Sequence, residues 1–370
     1  MTHSYEIGSD AAALDAALRD IPNAPAVFAL WPSAGAPYLS KTALLRRRLL
    51  RLLGERERPS RLLNLRHTAR RLEYELTGSA FESSLVHYQE ARRLFPDTYL
   101  KLLKLRMPPY VKIVLANRFP RSHIVTQLSR QPGAWFGPFR SRASAERFEA
   151  QFLDLFQMRR CQEDLAPSPE HPGCIYGEMG MCLRPCQEVV GPEEYGAEVA
   201  RVVEFLRSDG NSLLESIGHS RDRLSAAMLF EDAARQHKRY EKVQEVLKLR
   251  DELARDLDRF HGVALVPSTA PSAVEFWFVR EGHVQPRCRF SFEVHEGKTI
   301  SLDRQLRETI AGLPALKRSV RERQEYLALL ARWYYSSWRD GEWLAFETFD
   351  DVPYRKLVNA VSRVARPHTA

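Results

Sequence analysis

Four of the chain's five cysteines fall within one short segment, residues 161–186. They are Cys161, Cys174, Cys182 and Cys186, separated by twelve, seven and three residues. Four prolines and three glycines in the same segment interrupt helices and strands alike. A segment with so few core residues needs another source of order, and four thiolates converging on one inorganic centre would supply it.

The four cysteines have three interpretations other than a polynuclear metal cluster: core cysteines, disulfides and a single zinc ion. Ordinary core cysteines are disfavoured because all four lie in one turn-rich segment. Two disulfides are disfavoured because the N-terminus resembles no signal peptide, which predicts a reducing, cytoplasmic setting. Zinc stays open, since four thiolates suit a tetrahedral site, although only Cys182 and Cys186 have the short spacing typical of zinc sites.

Basic residues are concentrated near the N-terminus of a chain whose net charge is +8. Residues 41–71 contain eleven cations and two acids. The cations are Lys41, Arg46, Arg47, Arg48, Arg51, Arg56, Arg58, Arg61, Arg66, Arg70 and Arg71. Such a block indicates contact with the phosphate backbone of nucleic acid, or else a solvated helix face. No apolar run is long enough to cross a membrane, so DNA rather than a membrane is the expected partner.

The hydrophobic pattern predicts an α+β fold built from several small units. Strands are expected at 26–31, 38–40 and 72–76, with a helix from Lys41 onward and another at 81–95. Further along, the pattern predicts β-hairpins over 110–128 and 272–292, helices over 141–158, 192–207, 318–339 and 353–364, a helix pair between 211 and 260, and a strand at 342–346.

Short motifs in the first 140 residues resemble a known family. Pro25–Phe28, Tyr38–Lys41 and Arg46–Leu49 follow one another as in the GIY-YIG nuclease module. Pro108–Ile113 and Phe136–Phe139 resemble the segments that follow in the N-terminal half of the C component of bacterial excinuclease ABC. The cysteine spacing is similar to the iron–sulfur segment of that family. The resemblance implies a 4Fe-4S cluster on the four cysteines, with zinc as the alternative.

Part of the family's nuclease site is retained. The resemblance places Tyr38, Lys41 and Arg48 at catalytic positions that contact the scissile phosphate. A guanidinium such as that of Arg48 suits a phosphate because its N–H groups match the phosphate oxygens. The neighbouring Arg46, Arg47 and Arg51 are expected to bind DNA.

Three other positions depart from the family. Phe28 stands where the family has a tyrosine that helps deprotonate water, and Ser40 stands where it has a glycine. His87 stands where it has the glutamate that holds the metal, and magnesium prefers oxygen ligands. A displaced carboxylate, Glu82 or Glu90, is the alternative ligand. The chemistry half of the site is therefore expected to be degenerate.

The resemblance implies a DNA-binding component of nucleotide excision repair that recruits or regulates without efficient cutting. The alternative is an active endonuclease, dependent on Mg or Mn, that nicks one strand near a lesion. A third interpretation is a zinc-held nucleic-acid protein outside repair. No element that reads bases is evident, so binding is expected to be independent of sequence and sensitive to salt.

Residues 227–235, AMLFEDAAR, resemble the UVR domain, a helical hairpin through which the B and C components of the excinuclease contact each other. Phe230, Glu231 and Ala234 are the expected contact residues, with Phe230 as the anchor. The resemblance implies the excinuclease B component as the partner, and a second copy of the chain is the alternative partner. Ordinary packing within the chain would give the same pattern.

Five units are expected, in a short form of the family without its ribonuclease-H-like and helix-hairpin-helix domains. They are an N-terminal helix (1–20), a GIY-YIG-like module (21–105), a hairpin, helix and cysteine segment (106–190), a helical region with the partner-contact hairpin (191–260) and a C-terminal α/β region (261–370).

Overall fold

The structure, a computed structural model, describes residues 1–8, 11–55, 63–291 and 301–365. Within these ranges the chain combines helices with three antiparallel sheets, which confirms the predicted α+β class. No helix in the described ranges is both long and apolar enough to span a bilayer.

The N-terminal sheet has the strand order β1-β4-β2-β3, so β3 is an edge strand. Its elements are β1 (His3–Glu6), α1 (Ala11–Asp20), β2 (Ala26–Pro32), β3 (Tyr38–Thr42), α2 (Leu45–Leu53), β4 (Ala69–Leu76) and α3 (Ala80–Leu94). The hairpin of β2 and β3 confirms the prediction. The helix predicted from Lys41 begins only at Leu45, because Lys41 and Thr42 still pair with Val27 and Ala26.

Side chains of this sheet alternate between two cores. Phe28 and Leu30 pack against α1 and α2, in a core that includes Leu49. Val27 and Ala29 face the other way, toward α3. Because successive strand residues point to opposite faces, neighbours on β3 are also divided between these two sides.

The middle region contains α4 (Tyr99–Leu103) and a sheet with strand order β6-β5-β7-β8. Its elements are β5 (Tyr110–Val114), β6 (Ser122–Val125), β7 (Gly133–Gly137), α5 (Arg142–Leu153), α6 (Ile175–Glu178), α7 (Pro192–Arg207), α8 (Asn211–Ala226), α9 (Phe230–Lys248) and β8 (Arg255–Asp256). The Phe136 ring of β7 stacks on that of Phe148 with a centroid separation of 5.5 Å, and the Phe152 ring lies tilted against that of Phe148 at 5.4 Å. The aromatic stripe of α5 is therefore core, as predicted.

The C-terminal sheet has the order β11-β10-β9-β13, with β12 also paired to β10. Its elements are β9 (His261–Pro267), β10 (Ala273–Arg280), β11 (His283–Val284), β12 (Cys288–Ser291), α10 (Leu302–Ala311), α11 (Val320–Tyr334), β13 (Glu342–Phe346) and α12 (Tyr354–Val364). The predicted hairpin turn at Glu281 and Gly282 is present, since Arg280 pairs with His283.

One core joins the N-terminal and C-terminal sheets. The ring of Phe81 on α3 lies 4.7 Å from that of Trp333 on α11 and 6.0 Å from that of Trp277 on β10. The hydroxyls of Tyr88 and Tyr99 donate to the two carboxylate oxygens of buried Glu325, at 2.6 and 2.8 Å. Helix α3 is thus fixed between segments far apart in sequence.

Candidate nucleic-acid interface and cysteine cavity

Tyr38 and Arg48 lie together on one side of the N-terminal sheet. Arg48 donates from Nη2 to the Tyr38 hydroxyl at 2.9 Å, and both residues are half-buried. Among the described residues, Tyr38 is the one side chain that accepts a hydrogen bond from Arg48. The arrangement orients a guanidinium beside a phenol, which suits contact with a phosphate oxygen.

Phe28 and Ser40 lie opposite each other on β2 and β3, next to Tyr38. Phe28 is fully buried, and its ring centroid is 6.1 Å from that of Tyr38. A phenylalanine ring neither accepts nor donates a proton. The position that the family resemblance assigns to water activation is therefore occupied by a core side chain.

Lys41 points to the opposite face of the same strand, toward α3. Its ammonium group donates to Ser84 Oγ at 2.8 Å. Although the residue as a whole is exposed, burial of the ammonium group, and then the charge of Arg332, lower the pKa of Lys41. The sheet thus separates Lys41 from Tyr38 and Arg48, which share the other face.

His87 lies on α3 close to Lys41. Burial lowers the pKa of His87 to about 4, and the charge of Lys41 acts in the same direction, so the imidazole is neutral at pH 7. Its Nε2 atom is buried without a hydrogen-bond partner among the described residues. His87 therefore lies on the Lys41 side of the sheet, and it brings no negative charge.

Both carboxylates that could replace the missing glutamate are engaged elsewhere. Glu82 is only 1% exposed, accepts from Gly78 N at 2.7 Å and forms an ion pair with Arg287. Burial raises the pKa of Glu82, whereas the hydrogen bonds from Gly78 and Arg287 act in the opposite direction. Glu90 pairs with Arg93 at 2.7 Å and with the N-terminal amine at 3.5 Å. Neither is free to take the role of the lost ligand in this arrangement.

The basic block of residues 41–71 is not one continuous free surface. Arg46 donates to the Ile21 carbonyl at 2.7 Å, while Arg47 and Arg51 are exposed on α2. Arg66 is paired with Asp15 at 3.1 Å. The predicted cations Arg56, Arg58 and Arg61 lie outside the described residues. Among the described residues of the block, Lys41, Arg47, Arg51 and Arg70 are exposed, and of these Arg47 and Arg51 lie on α2.

The four clustered cysteines line one cavity, although they come from a loop with little regular structure. All four are free thiols, and Cys182 and Cys186 are buried. Burial raises the pKa of Cys182 to about 11, and the other three cysteines add to the shift. Within the described ranges no group of three or more His, Cys, Asp or Glu side chains is arranged to hold a metal ion.

Arg159, which no motif in the sequence marks, lines the same cavity. It is 1% exposed, and it donates to carbonyl oxygens and to Cys161 Sγ, which accepts from Nη1 at 3.3 Å. Its Nη2 atom has no partner in the described part of the chain. The backbone N–H of Arg184 donates to Cys182 Sγ at 3.4 Å. A buried cation and two N–H···S contacts fit an anionic thiolate centre, because they offset its charge.

The hairpin of α8 and α9 ends in an exposed apolar tip. Met228, Leu229 and Phe230 are 77, 50 and 66% exposed. Glu231 and Ala234 are exposed on the first turns of α9. The tip therefore presents the predicted contact residues to solvent instead of packing them within the described chain.

Comparison with known proteins adds a family to this geometry. The family described as UvrC/Cho excinuclease, middle domain, matches residues 109–205, which include all four clustered cysteines. No solved structure matches the chain.

Several curated proteins are similar to a longer part of the chain. UvrABC system protein C of Lachnospira eligens is 24% identical over 78% of this chain and 48% of that protein. The protein of the same name from Moorella thermoacetica is 27% identical over 77% of this chain and 46% of that protein. The one from Rickettsia africae is 29% identical over 44% of this chain and 25% of that protein.

The chain spans about half the length of the first two of these relatives. Over about three quarters of its own length the chain is similar to proteins named UvrABC system protein C, which confirms the resemblance to the excinuclease C-component family that the sequence motifs indicate.

Proposed function

We propose that this protein binds DNA within nucleotide excision repair and that its nuclease-like site cuts DNA poorly or not at all. Similarity to UvrABC system protein C supports the repair role. The observation that carries the second part is Phe28, a fully buried ring at the position where a water-activating hydroxyl is needed.

The remaining groups suit binding better than hydrolysis. Tyr38 and Arg48 form a hydrogen-bonded pair that can contact a phosphate. Phosphodiester hydrolysis also needs an activated water and stabilisation of the leaving oxygen. A general base alone contributes about 10²–10⁴-fold in rate, so loss of that group leaves little activity.

An active endonuclease that uses Mg or Mn and nicks one strand near a lesion is the second candidate. The Nε2 of His87, which has no hydrogen-bond partner among the described residues, favours it, because a neutral imidazole nitrogen is a metal ligand. Against it, His87 stands in for a carboxylate, and magnesium prefers oxygen. Lys41 beside His87 adds positive charge, which also opposes cation binding.

A nicking assay separates the two candidates. Supercoiled and lesion-bearing DNA would be incubated with the protein and magnesium or manganese, beside an Arg48→Ala control. We expect binding without nicking. Nicking by the wild type that disappears in the control would overturn the degenerate site. The double variant Phe28→Tyr, His87→Glu tests whether restoring the two lost groups restores cutting.

We further propose that Cys161, Cys174, Cys182 and Cys186 hold a 4Fe-4S cluster with a structural role. The shared cavity and the buried charge of Arg159 support a thiolate centre, and the family resemblance favours iron over zinc. Such a centre would fix the loop against α5 and α7. Iron, sulfide and zinc analysis of anaerobically purified protein decides between the two metals, with Cys288→Ser as the control for Cys182→Ser.

The apolar tip of the α8–α9 hairpin is our proposed contact for the excinuclease B component. Phe230 has the exposed area and position of an anchor. Phe230→Ala is expected to weaken co-purification with the B component by about tenfold or more, while the exposed Trp338→Ala serves as a control of similar chemistry. Equal binding by both variants would exclude the tip as the contact.

A further inference from the structure

A second basic surface, away from the block at residues 41–71, lies in a groove of the middle region. Four segments form it: the stretch after α4, Thr126 after β6, the start of α5 and the last turns of α11. Its cationic lining consists of Lys104, Arg106, Arg140, Arg142 and Arg332, and no acidic residue of the described chain lines it.

Most of these charges are not neutralised within the chain. Arg142 pairs with Glu146 at 2.7 Å. The other four lining cations have no carboxylate partner in the described ranges, and all four are exposed. Uncompensated cations at one concave surface produce a positive potential that an anionic ligand would reduce.

The groove is held in shape by contacts that leave its charges free. The Arg140 guanidinium lies over the Tyr335 ring, 5.1 Å from its centroid. The Tyr335 hydroxyl donates to the Pro138 carbonyl at 3.0 Å, and the Arg140 backbone N–H donates to Asp251 at 2.7 Å. Arg140 is therefore positioned by two other segments, which lowers the entropy lost when it binds a ligand.

Arg332 connects this groove to the nuclease-like site. It lies on α11, which packs against α3, and it is close enough to Lys41 to lower the pKa of that lysine. Lys41 in turn contacts Ser84 on α3. Arg332 of the groove thus lies on the helix that packs against α3, and α3 is the helix that Lys41 contacts.

We propose that this groove binds the phosphate backbone of a DNA strand that runs past the Lys41 face of the nuclease-like site. The proposal rests on the proposed DNA-binding function and assigns it a second contact surface. Arginines outnumber lysines in the groove, and guanidinium groups match phosphate oxygens in pairs. The groove contacts charge rather than bases, so the binding is independent of sequence.

The test compares two triple variants of the full chain. The first variant carries Arg106→Ala, Arg140→Ala and Arg332→Ala, which together remove three charges from the groove. The matched control Lys238→Ala, Arg239→Ala, Lys242→Ala removes three exposed charges from α9. Fluorescence anisotropy with a labelled duplex and a labelled single strand, across a series of salt concentrations, gives the affinity and its salt slope. Thermal unfolding checks that each variant is folded.

We expect the groove variant to bind about tenfold more weakly or worse, with a salt slope shallower by about 2–3, because each phosphate contact contributes about 0.7–0.9 to the slope. The α9 variant should match the wild type. An equal loss of DNA affinity in both variants, or no loss in the groove variant, would refute the proposal that the groove binds DNA. A further variant carries Arg47→Ala and Arg51→Ala. If this variant binds DNA more weakly and the groove variant does not, the proposed DNA-binding function stands and the groove has no part in it. A wild type that binds no DNA would refute both proposals.

Discussion

A buried arginine without a carboxylate partner is a costly group, and Arg159 has no such partner among the residues that the structure describes. Its guanidinium contacts three carbonyl oxygens and the sulfur of Cys161 while lining the cysteine cavity. Isolated buried charges are rarely retained unless something opposes them. Thiolates bound to a cluster would supply that negative charge. A cluster on the four cysteines would therefore account for the burial of Arg159.

Replacement of Arg159 by methionine keeps most of the side-chain volume and removes the charge. We expect Arg159→Met to retain severalfold less iron than the wild type after gel filtration, because the anionic centre loses its buried counter-charge. Iron content and visible absorption measure this. Arg160→Met is the control, since Arg160 lines the same cavity but is already paired with Asp154 at 2.7 Å. Equal iron retention in both variants would count against the role of Arg159.

A second prediction at this scale concerns His283, which lies where β11 meets α11. Its Nδ1 accepts from the Arg318 backbone N–H at 3.0 Å. Burial, then the charge of Arg323, lower its pKa from 6.5 to about 4; Lys317 and Arg318 act in the same direction and Glu281 opposes them. The unfolded chain therefore binds a proton at higher pH than the folded chain, so stability is lost as pH falls from about 6.5 to 4.

His283→Asn tests this, because an amide oxygen can replace Nδ1 as the acceptor but does not titrate. Urea unfolding at pH 7 and at a pH of about 4.5 should show a smaller loss of stability for the variant than for the wild type. A loss of the same size in both proteins would show that His283 contributes nothing to the acid sensitivity.

At the scale of the element, α3 is held at its N-terminus by an ion pair between a buried carboxylate and a partly exposed arginine. Glu82 accepts from Gly78 N and from Arg287, which precedes β12. Glu82 is 1% exposed, whereas the Arg287 side chain is 34% exposed. Removal of the arginine leaves a buried carboxylate without its counter-charge, which costs more than the pair contributes.

We expect Arg287→Ala to lower the free energy of unfolding by about 1–3 kcal/mol, less than for a fully buried pair because Arg287 is partly in solvent. Glu82→Gln in the same background should recover part of this loss, since it removes the stranded charge. Urea unfolding of the two single variants and the double variant gives the coupling energy. Additive effects would mean that the two residues do not interact.

The elements differ in how far the sequence predicts them. The strands 26–31 and 38–40 were predictable because a buried apolar run and a proline-rich turn mark them. Strand β1 was missed because its sequence, HSYE, is polar and it forms only by pairing with β4. The helix after β3 starts later than predicted because pairing with β2 extends the strand through Lys41 and Thr42.

The candidate sites show the same division. The four cysteines are close in sequence, so their shared cavity was predictable from spacing. The place of Arg159 in this cavity was not predictable, because its guanidinium is held by the carbonyl of Phe119 in a separate hairpin. The groove of Arg106, Arg140 and Arg332 was not predictable either, since three distant segments each supply one cation.

At the scale of the whole molecule, one core unites the two ends of the chain. Phe81 contacts Trp277 and Trp333, and Glu325 accepts from two tyrosines of the N-terminal region. The nuclease-like face of Lys41 is consequently fixed relative to α11 and its groove. A DNA strand that contacts both would meet a rigid surface rather than two modules on a linker.

This shared core predicts that the two end sheets unfold together. Phe81→Ala should cost about 3–5 kcal/mol, since it removes a fully buried aromatic side chain. If the sheets share their stability, hydrogen-exchange protection should fall by the same free energy in β2 and in β9. Phe81→Leu, which keeps most of the apolar volume, should produce a smaller and equally distributed loss. Protection that falls in β2 while β9 is unchanged would show that the two sheets are independent modules. The Lys41 face and the groove would then have no fixed relative position until a ligand contacts both.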